Sequence, residues 1–295
     1  MGKAMSWRSV ADLFVDETAA PVALLGAPME AGSVTPGRCD LAPETVRRAL
    51  RRFSTFDLVA GLELDLAVRD AGDVRVQGLM PSQGFEPIRA AVEACTFGHA
   101  LTLLIGGNNA VTRPAAHALG WPLDRIGLIT LDAHFDMRET DQGPMNGNPV
   151  RCLLEDGLPG RNICQLGLAP FANSAKMHGD AQSAGIGIFT IDRLRDGIEL
   201  PLAEAFARLD HVEAILVDFD IDVIDRGQCP GAPGARPDGL AARDFFRAAR
   251  LIAAHPKVRL VDLTEFDPSL DVSDTTALIA GRWVCEILAG FQGRT

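Results

Sequence analysis

The sequence lacks the cysteine spacings that build a disulfide framework or a thiolate metal site. Its six cysteines (Cys39, Cys95, Cys152, Cys164, Cys229 and Cys285) are scattered, with no CxxC pair and no zinc-finger spacing, so reduced, mostly buried thiols are expected. Basic runs are missing too. Lys and Arg total 28 against 39 Asp and Glu, a formal net charge of -11, and no Lys/Arg block or stripe makes a local exception, which excludes a nucleic-acid partner. The four arginines Arg47, Arg48, Arg51 and Arg52 share a helix face that reads as a solvated or subunit-facing surface. No apolar run approaches the roughly 20 residues needed to span a bilayer, and the first residues show no secretory pattern. A cytoplasmic protein without a membrane partner is expected. Tyrosine is absent altogether, which by itself excludes nothing.

What is present is an ordinary globular composition, 47% hydrophobic and 23% charged, in a chain long enough to bury a sizeable core. No composition shift or linker divides it, so residues 1–295 are expected to form a single domain, with 1–20 as a mobile or capping segment. Apolar runs at 21–26, 62–68, 101–105, 126–131, 163–168, 186–191, 214–219 and 258–263 read as strands. Helical spacing falls between them, at 42–53, 85–97, 111–119, 149–155, 174–184, 202–209, 241–255 and 275–291. That alternation points to an α/β architecture with a mainly parallel sheet, either open or closed as a (β/α)8 barrel.

Polar clusters fall just past the carboxyl ends of four of these strands, where parallel α/β folds put their sites. They are Asn108-Asn109, Asp132-Ala133-His134-Phe135-Asp136, the Asp218/Asp220/Asp222 series, and Glu265. Period two puts the three carboxylates of the third cluster on one side of an extended chain. Ionised groups held that close out of water need a counter-charge, which a divalent metal supplies. Oxygen-rich ligands with one imidazole suit Mn2+ better than Zn2+ or copper. Asp225 reads as a loop carboxylate rather than a ligand, and His99, His117, His178, His211 and His255 have no comparable acids around them. Arg138 and Arg151 are candidates to clamp a substrate carboxylate through their planar guanidinium groups, with Arg113 a weaker third.

These stretches resemble the arginase/agmatinase/formimidoylglutamase family, the ureohydrolases, whose metal site is carried by a GGDH-type turn, a DAHxD stretch and an SxDxDxxDP stretch. The resemblance runs over nearly the whole chain. It implies a three-layer α/β/α fold with an eight-stranded, mostly parallel sheet, and so favours the open sheet over the barrel. It also implies two Mn2+ held by Asp132, His134, Asp136, Asp220 and Asp222, with Asp136 shuttling a proton and Glu265 facing the cationic end of a small amidine or guanidine substrate. A homo-oligomer, trimer or hexamer, is implied as well.

The chain departs from the family pattern in places. Asn109 stands where the family has a metal-binding histidine, a weak or lost ligand that leaves one metal rather than two as an alternative. Asn108 stands where it has aspartate, Asp218 where it has serine and Arg226 where it has proline. Asn146 replaces the histidine of arginases, which argues against arginase itself, and joins Arg138 and Arg151 as a substrate-binding candidate. The segments 134–138, 147–151 and 165–174 resemble the formimidoylglutamase branch most. The expected activity is hydrolysis of N-formimidoyl-L-glutamate to L-glutamate and formamide, a step of histidine breakdown. Agmatinase or other guanidino chemistry releasing urea, and a metal-poor homologue with a binding role, are the alternatives.

Overall fold

The computed structural model describes residues 7–16 and 19–294. The chain runs β1 (Phe14–Val15), β2 (Val22–Ala27), α1 (Ala42–Leu50), an antiparallel ribbon of β3 (Phe56–Asp57) and β4 (Leu62–Glu63), β5 (Val68–Asp73), α2 (Pro81–Gly98), β6 (Leu101–Gly106) and α3 (Thr112–His117). It continues through β7 (Ile126–Leu131), α4 (Pro149–Asp156), β8 (Ile163–Leu168), α5 (Ala175–Ala184), β9 (Gly187–Thr190), α6 (Ile191–Leu194) and α7 (Glu199–Arg208). It closes with β10 (Ala214–Asp220), α8 (Ala242–Ala254), β11 (Val258–Thr264) and α9 (Thr275–Gln292).

Nine strands form one sheet in the order β1-β5-β2-β6-β11-β10-β7-β8-β9, and every pairing in it is parallel. Strands β2, β6, β7, β8 and β10 are buried along their whole length, as expected of a parallel sheet covered on both faces. Their side chains alternate between two apolar layers. Leu103, Ile129, Val217 and Phe219 pack under α1, α7, α8 and α9, while Leu104, Leu128 and Leu216 pack under α2, α3, α4 and α5. The result is the α/β/α sandwich expected from the sequence, open at both edges and therefore not a barrel.

Two strands depart from the expectation. The sheet has nine strands rather than eight, because the two-residue β1, from the segment read as a cap, pairs with β5; residues 1–6 and 17–18 of that segment lie outside the described residues. The strand expected over 62–68 splits into the ribbon strand Leu62–Glu63 and β5, which reads Val-Arg-Asp-Ala-Gly-Asp and is only partly buried. A polar strand near an edge leaves no apolar run to read.

The order of the sheet determines where the site lies. β11, β10 and β7 are adjacent, and register pairs Asp220 with Thr264 and Phe219 with Leu131, so residues far apart in sequence end side by side. Phe219, fully buried between two acids, packs edge-on against Phe245 at 5.4 Å and Trp283 at 5.3 Å, measured between ring centroids, and anchors the tip of β10 to α8 and α9. Phe219→Ala should lower stability by about 3–5 kcal/mol, read as a shift in the urea midpoint. A loss under about 1 kcal/mol would show that this anchor is not what holds the tip.

Candidate metal centre

Three strand tips are fastened together before any ligand is considered. Gly107, following β6, donates its N–H to Ala27 at 2.8 Å and accepts the N–H of Glu265 at 3.0 Å. A Cβ on Gly107 would lie 1.8 Å from the Met29 carbonyl oxygen, so this close approach requires glycine. Asn108 donates through Nδ2 to the Glu30 and Ala31 carbonyls and to Ser33 Oγ, and its Oδ1 accepts the Ala110 N–H. That ties Asn108 to the 30–33 loop. The loop after β7 is held by Asn173, which accepts the Phe135 N–H and donates to the Ala133 carbonyl, and by Gln165, which donates to the Phe135 carbonyl. Nothing about Asn173 or Gln165 in the sequence marked them for this role.

The acids converge as the sequence requires of a metal site. Donor atoms of Asp132, His134 and Asp222 lie within 4.8 Å of one another, and those of Asp132, Asp136 and Asp220 do likewise. Asp132 belongs to both groups. All four carboxylates are buried, and Asp136 and Glu265 adopt left-handed backbone conformations, with φ of 52° and 61°. Non-glycine residues take up such angles at a cost of order 1 kcal/mol or more and gather at functional sites. His134 Nδ1 sits 3.0 Å from Asp222 Oδ2 and 3.4 Å from Asp132 Oδ1. Among the described residues nothing donates to the buried Asp132 Oδ2, the state of an oxygen built to face a cation. This donor set fits a divalent ion.

The electrostatics reflect that crowding. Burial, then the neighbouring Asp222 charge, pushes Asp132 up to about 8. Burial also raises Asp136 and Asp220 well above the carboxylate range, reinforced by Asp132 for the first and Asp222 for the second. Burial disfavours a charged His134, but Asp222 and Asp132 overcome it and raise the imidazole to about 12. The His134 cation in turn lowers Asp222 against its own burial. Glu265 is pushed up to about 7, chiefly by burial.

Above these residues opens a cavity of about 140 Å³, lined by His134, Asp136, Asp220, Asp222 and Glu265 below and by Arg138, Asn146 and Arg236 among others. Asn146 Nδ2 donates to Glu265 Oε1 at 3.0 Å, and the Asn109 N–H donates to the same oxygen at 2.7 Å. Arg138, exposed at the rim, has no acidic partner among the described residues. Arg151 does not line the cavity; its guanidinium is paired with Asp180 on α5. Arg113 is likewise committed, to Asp156 at 2.7 Å. Asn109, expected as a weak or lost ligand, faces the acids with its nitrogen: Nδ2 donates to Asp136 Oδ2 at 2.6 Å. Asp225 accepts the Gly227 and Asp238 N–H groups and so organises its own loop.

Arg236 went unrecognised in the sequence. It follows Gly234, whose added Cβ would lie 2.0 Å from Asp222 Oδ2, so the 229–239 loop lies directly on Asp222 and carries Arg236 to the cavity mouth. There, among the described residues, Arg236 hydrogen-bonds only backbone carbonyls, those of Gly234 and Ala235. The available signal was the Pro-Gly-Ala-Arg run after an acidic strand tip.

The sequence pattern described as the arginase family matches residues 20–290. Formimidoylglutamase of Bacillus subtilis (strain 168) is 29% identical over 277 residues, covering 92% of this chain and 87% of the relative. Its crystal structure superposes with a TM-score of 0.91 at 28% identity, covering 98% and 94% of the two chains. Guanidinopropionase of Pseudomonas aeruginosa is 28% identical over 286 residues, covering 93% and 88%. A Trypanosoma cruzi formiminoglutamase solved with Mn2+2 superposes with a TM-score of 0.90 at 23% identity, covering 98% and 99%, a likeness of fold. Among the described residues no helix is long and apolar enough to cross a membrane.

The raised carboxyls predict how metal and pH interact. Asp132 moves from an ordinary 3.8 to about 8 in the folded chain, so the folded state holds a proton that the unfolded state releases. The stability this contributes is fully present below about 4 and is lost as pH rises through about 8. Mn2+ must displace such protons, so its stabilising effect should grow with pH. Differential scanning should show a larger Mn2+-induced rise in Tm at pH 8 than at pH 6; an equal or smaller rise at pH 8 counts against the arrangement.

Proposed function

The chain belongs to the arginase family, and from that premise we propose that it hydrolyses the linear amidine of N-formimidoyl-L-glutamate, with water, to L-glutamate and formamide. The observation that carries this reading is the polarity of the cavity: clustered acids able to hold a metal on its floor and, at its rim, Arg138 and Arg236, which have no acidic partner among the described residues. The formimidoylglutamase relatives support the same substrate.

Asp132, His134, Asp136, Asp220 and Asp222 would hold Mn2+, two ions per chain, or one if the Asn109 position is lost. Bound there, Mn2+ supplies the counter-charge and the Lewis acidity that make water a nucleophile at neutral pH. Asp136, on the cavity floor, takes the proton of the attacking water and returns it to the leaving nitrogen as the C–N bond breaks. Glu265 receives both of its hydrogen bonds on Oε1, which leaves Oε2 for the substrate amidinium and the charge that develops on it. Asn146 orients that carboxylate from the cavity wall. Arg138 and Arg236 receive the substrate carboxylates, for which a planar guanidinium is the matching donor. Agmatine, a dication with no carboxylate, gains nothing from that rim. A homo-oligomer in the cytoplasm belongs to the same reading.

Purified protein loaded with Mn2+ should release formamide from N-formimidoyl-L-glutamate. Urea release from agmatine or 3-guanidinopropionate, with no formamide formed, would transfer the assignment to guanidino chemistry. The arginines give the finer test. Arg236→Gln and Arg138→Gln should each raise KM roughly tenfold or more while leaving kcat within a few-fold, the signature of lost binding that is common to ground and transition states. An unchanged KM in both variants would show that the rim does not bind substrate.

A further inference from the structure

The turn at residues 145–148, on the wall of the cavity, is fastened on three sides. Asn148, fully buried, accepts the Met145 N–H on Oδ1 at 2.8 Å and donates through Nδ2 to the Glu139 and Gly143 carbonyls. Toward the 30–38 loop, the Asn146 N–H donates to the Gly32 carbonyl at 3.3 Å and Asn146 Oδ1 accepts the Val34 N–H at 2.8 Å. The Arg138 N–H completes the set by donating to the Gly147 carbonyl at 3.1 Å. A turn held in this way is a fixed shelf, and a side chain lying on it takes its direction from it.

The Arg138 stem lies on that shelf, over Gly147. A Cβ built on Gly147 would lie 2.7 Å from Arg138 Cδ, 2.9 Å from its Nε and 3.2 Å from Val34 Cγ2. Unbonded carbon atoms settle about 3.5–4.0 Å apart, so the stem occupies the space that a side chain at 147 would fill, with the Val34 methyl beside it. The backbone does not call for glycine here. Gly147 is outside the left-handed region, so any residue could adopt its conformation, and among the described residues the only atoms within 3 Å of that Cβ belong to Arg138. Val34, Arg138 and Gly147 all line the cavity. An arginine whose stem is already confined has less rotamer freedom to lose when a carboxylate reaches its guanidinium.

We propose that Gly147 is a specificity-determining position: its missing side chain leaves a slot, bordered by Val34, that holds the Arg138 stem and aims the guanidinium across the cavity mouth at a substrate carboxylate. Gly147 is thus a positioning residue that acts through Arg138. The carboxylate belongs to the proposed function and falls with it; the slot does not depend on that reading.

Gly147→Ala fills the slot and should fold, because the atoms in its way are the far end of a flexible side chain. Val34→Ala opens the slot from the other side without adding an atom. Nitrogen relaxation at the Arg138 Nε–Hε, identified by its loss in Arg138→Gln, should give a lower order parameter in both variants than in the parent, with or without Mn2+. With N-formimidoyl-L-glutamate and Mn2+-loaded protein, Gly147→Ala should raise KM about fivefold and hold kcat within about twofold, a coupling of the size found between side chains in contact. In an Arg138→Gln background the same substitution should change KM by less than about twofold.

An Arg138 order parameter as high in Gly147→Ala and Val34→Ala as in the parent would overturn the slot. So would an equal rise in KM with and without Arg138, which would show Gly147 acting by another route, or a fall in kcat with KM unchanged. If Arg138→Gln itself leaves KM unaltered, the rim of the proposed function is what fails, and the order parameters still decide whether Gly147 holds Arg138.

Discussion

Mutual repulsion among buried carboxylates is the constraint on which the rest of the molecule turns. Asp132, Asp136, Asp220 and Asp222 are packed to within a few ångströms of one another at the ends of β7 and β10, and an uncompensated arrangement of this kind would work against folding. His134 lies 3.0 Å from Asp222 and 3.4 Å from Asp132, whose charges raise its imidazole to about 12, and burial raises Asp136 and Asp220 well above the carboxylate range. A dication held by the same oxygens would take the place of those protons.

The parallel sheet makes this crowding achievable. Each strand runs in the same direction, so the carboxyl ends of β6, β11, β10 and β7 line up along one edge of the sandwich, and the acids they carry meet without any one loop having to reach far. The apolar layers on both faces hold the strands in register. Gly107 and Gly234 then let backbone come closer than any side chain would permit, the first binding the Asn109 turn to Met29, the second laying the 229–239 loop on Asp222. Scaffold stability and site geometry are thus set by the same residues. Phe219, between Asp218 and Asp220, belongs to the core and to the site at once.

The same physics decides how much of this was legible in the sequence. β7, β8 and β10 could be read to within a residue because a strand buried on both faces must be an uninterrupted apolar run. β5 could not, because Val-Arg-Asp-Ala-Gly-Asp near the sheet edge is stabilised by pairing and not by burial. That Asp132, His134, Asp136, Asp220 and Asp222 come together was readable because period two and position after a strand fix where they point. Arg151 was not: a residue on α4 can face the cavity or α5 depending on the helix's rotation, and here it faces Asp180. Arg236 depends on the path of an irregular loop, which local pattern does not encode. Asp218 was read with the acidic tip of β10, but its register partner Asp262, inside the apolar run Val-Arg-Leu-Val-Asp-Leu-Thr, was not.

The division of charge across the cavity limits what can bind productively. With the four aspartates offset by a bound dication, an ionised Glu265 is left on the floor, and at an effective dielectric near 20 it would repel a substrate carboxylate 4 Å away by about 4 kcal/mol. On the proposed function, a substrate entering amidinium-first would meet Glu265 and leave its carboxylates by the Arg138 and Arg236 rim. The neutral Asn109 fits that polarity, since it adds no charge to the floor. Orientation is thereby imposed by the field of the site before any close contact forms, and the narrowest requirement that remains is the spacing between the amidine carbon and the substrate's carboxylates.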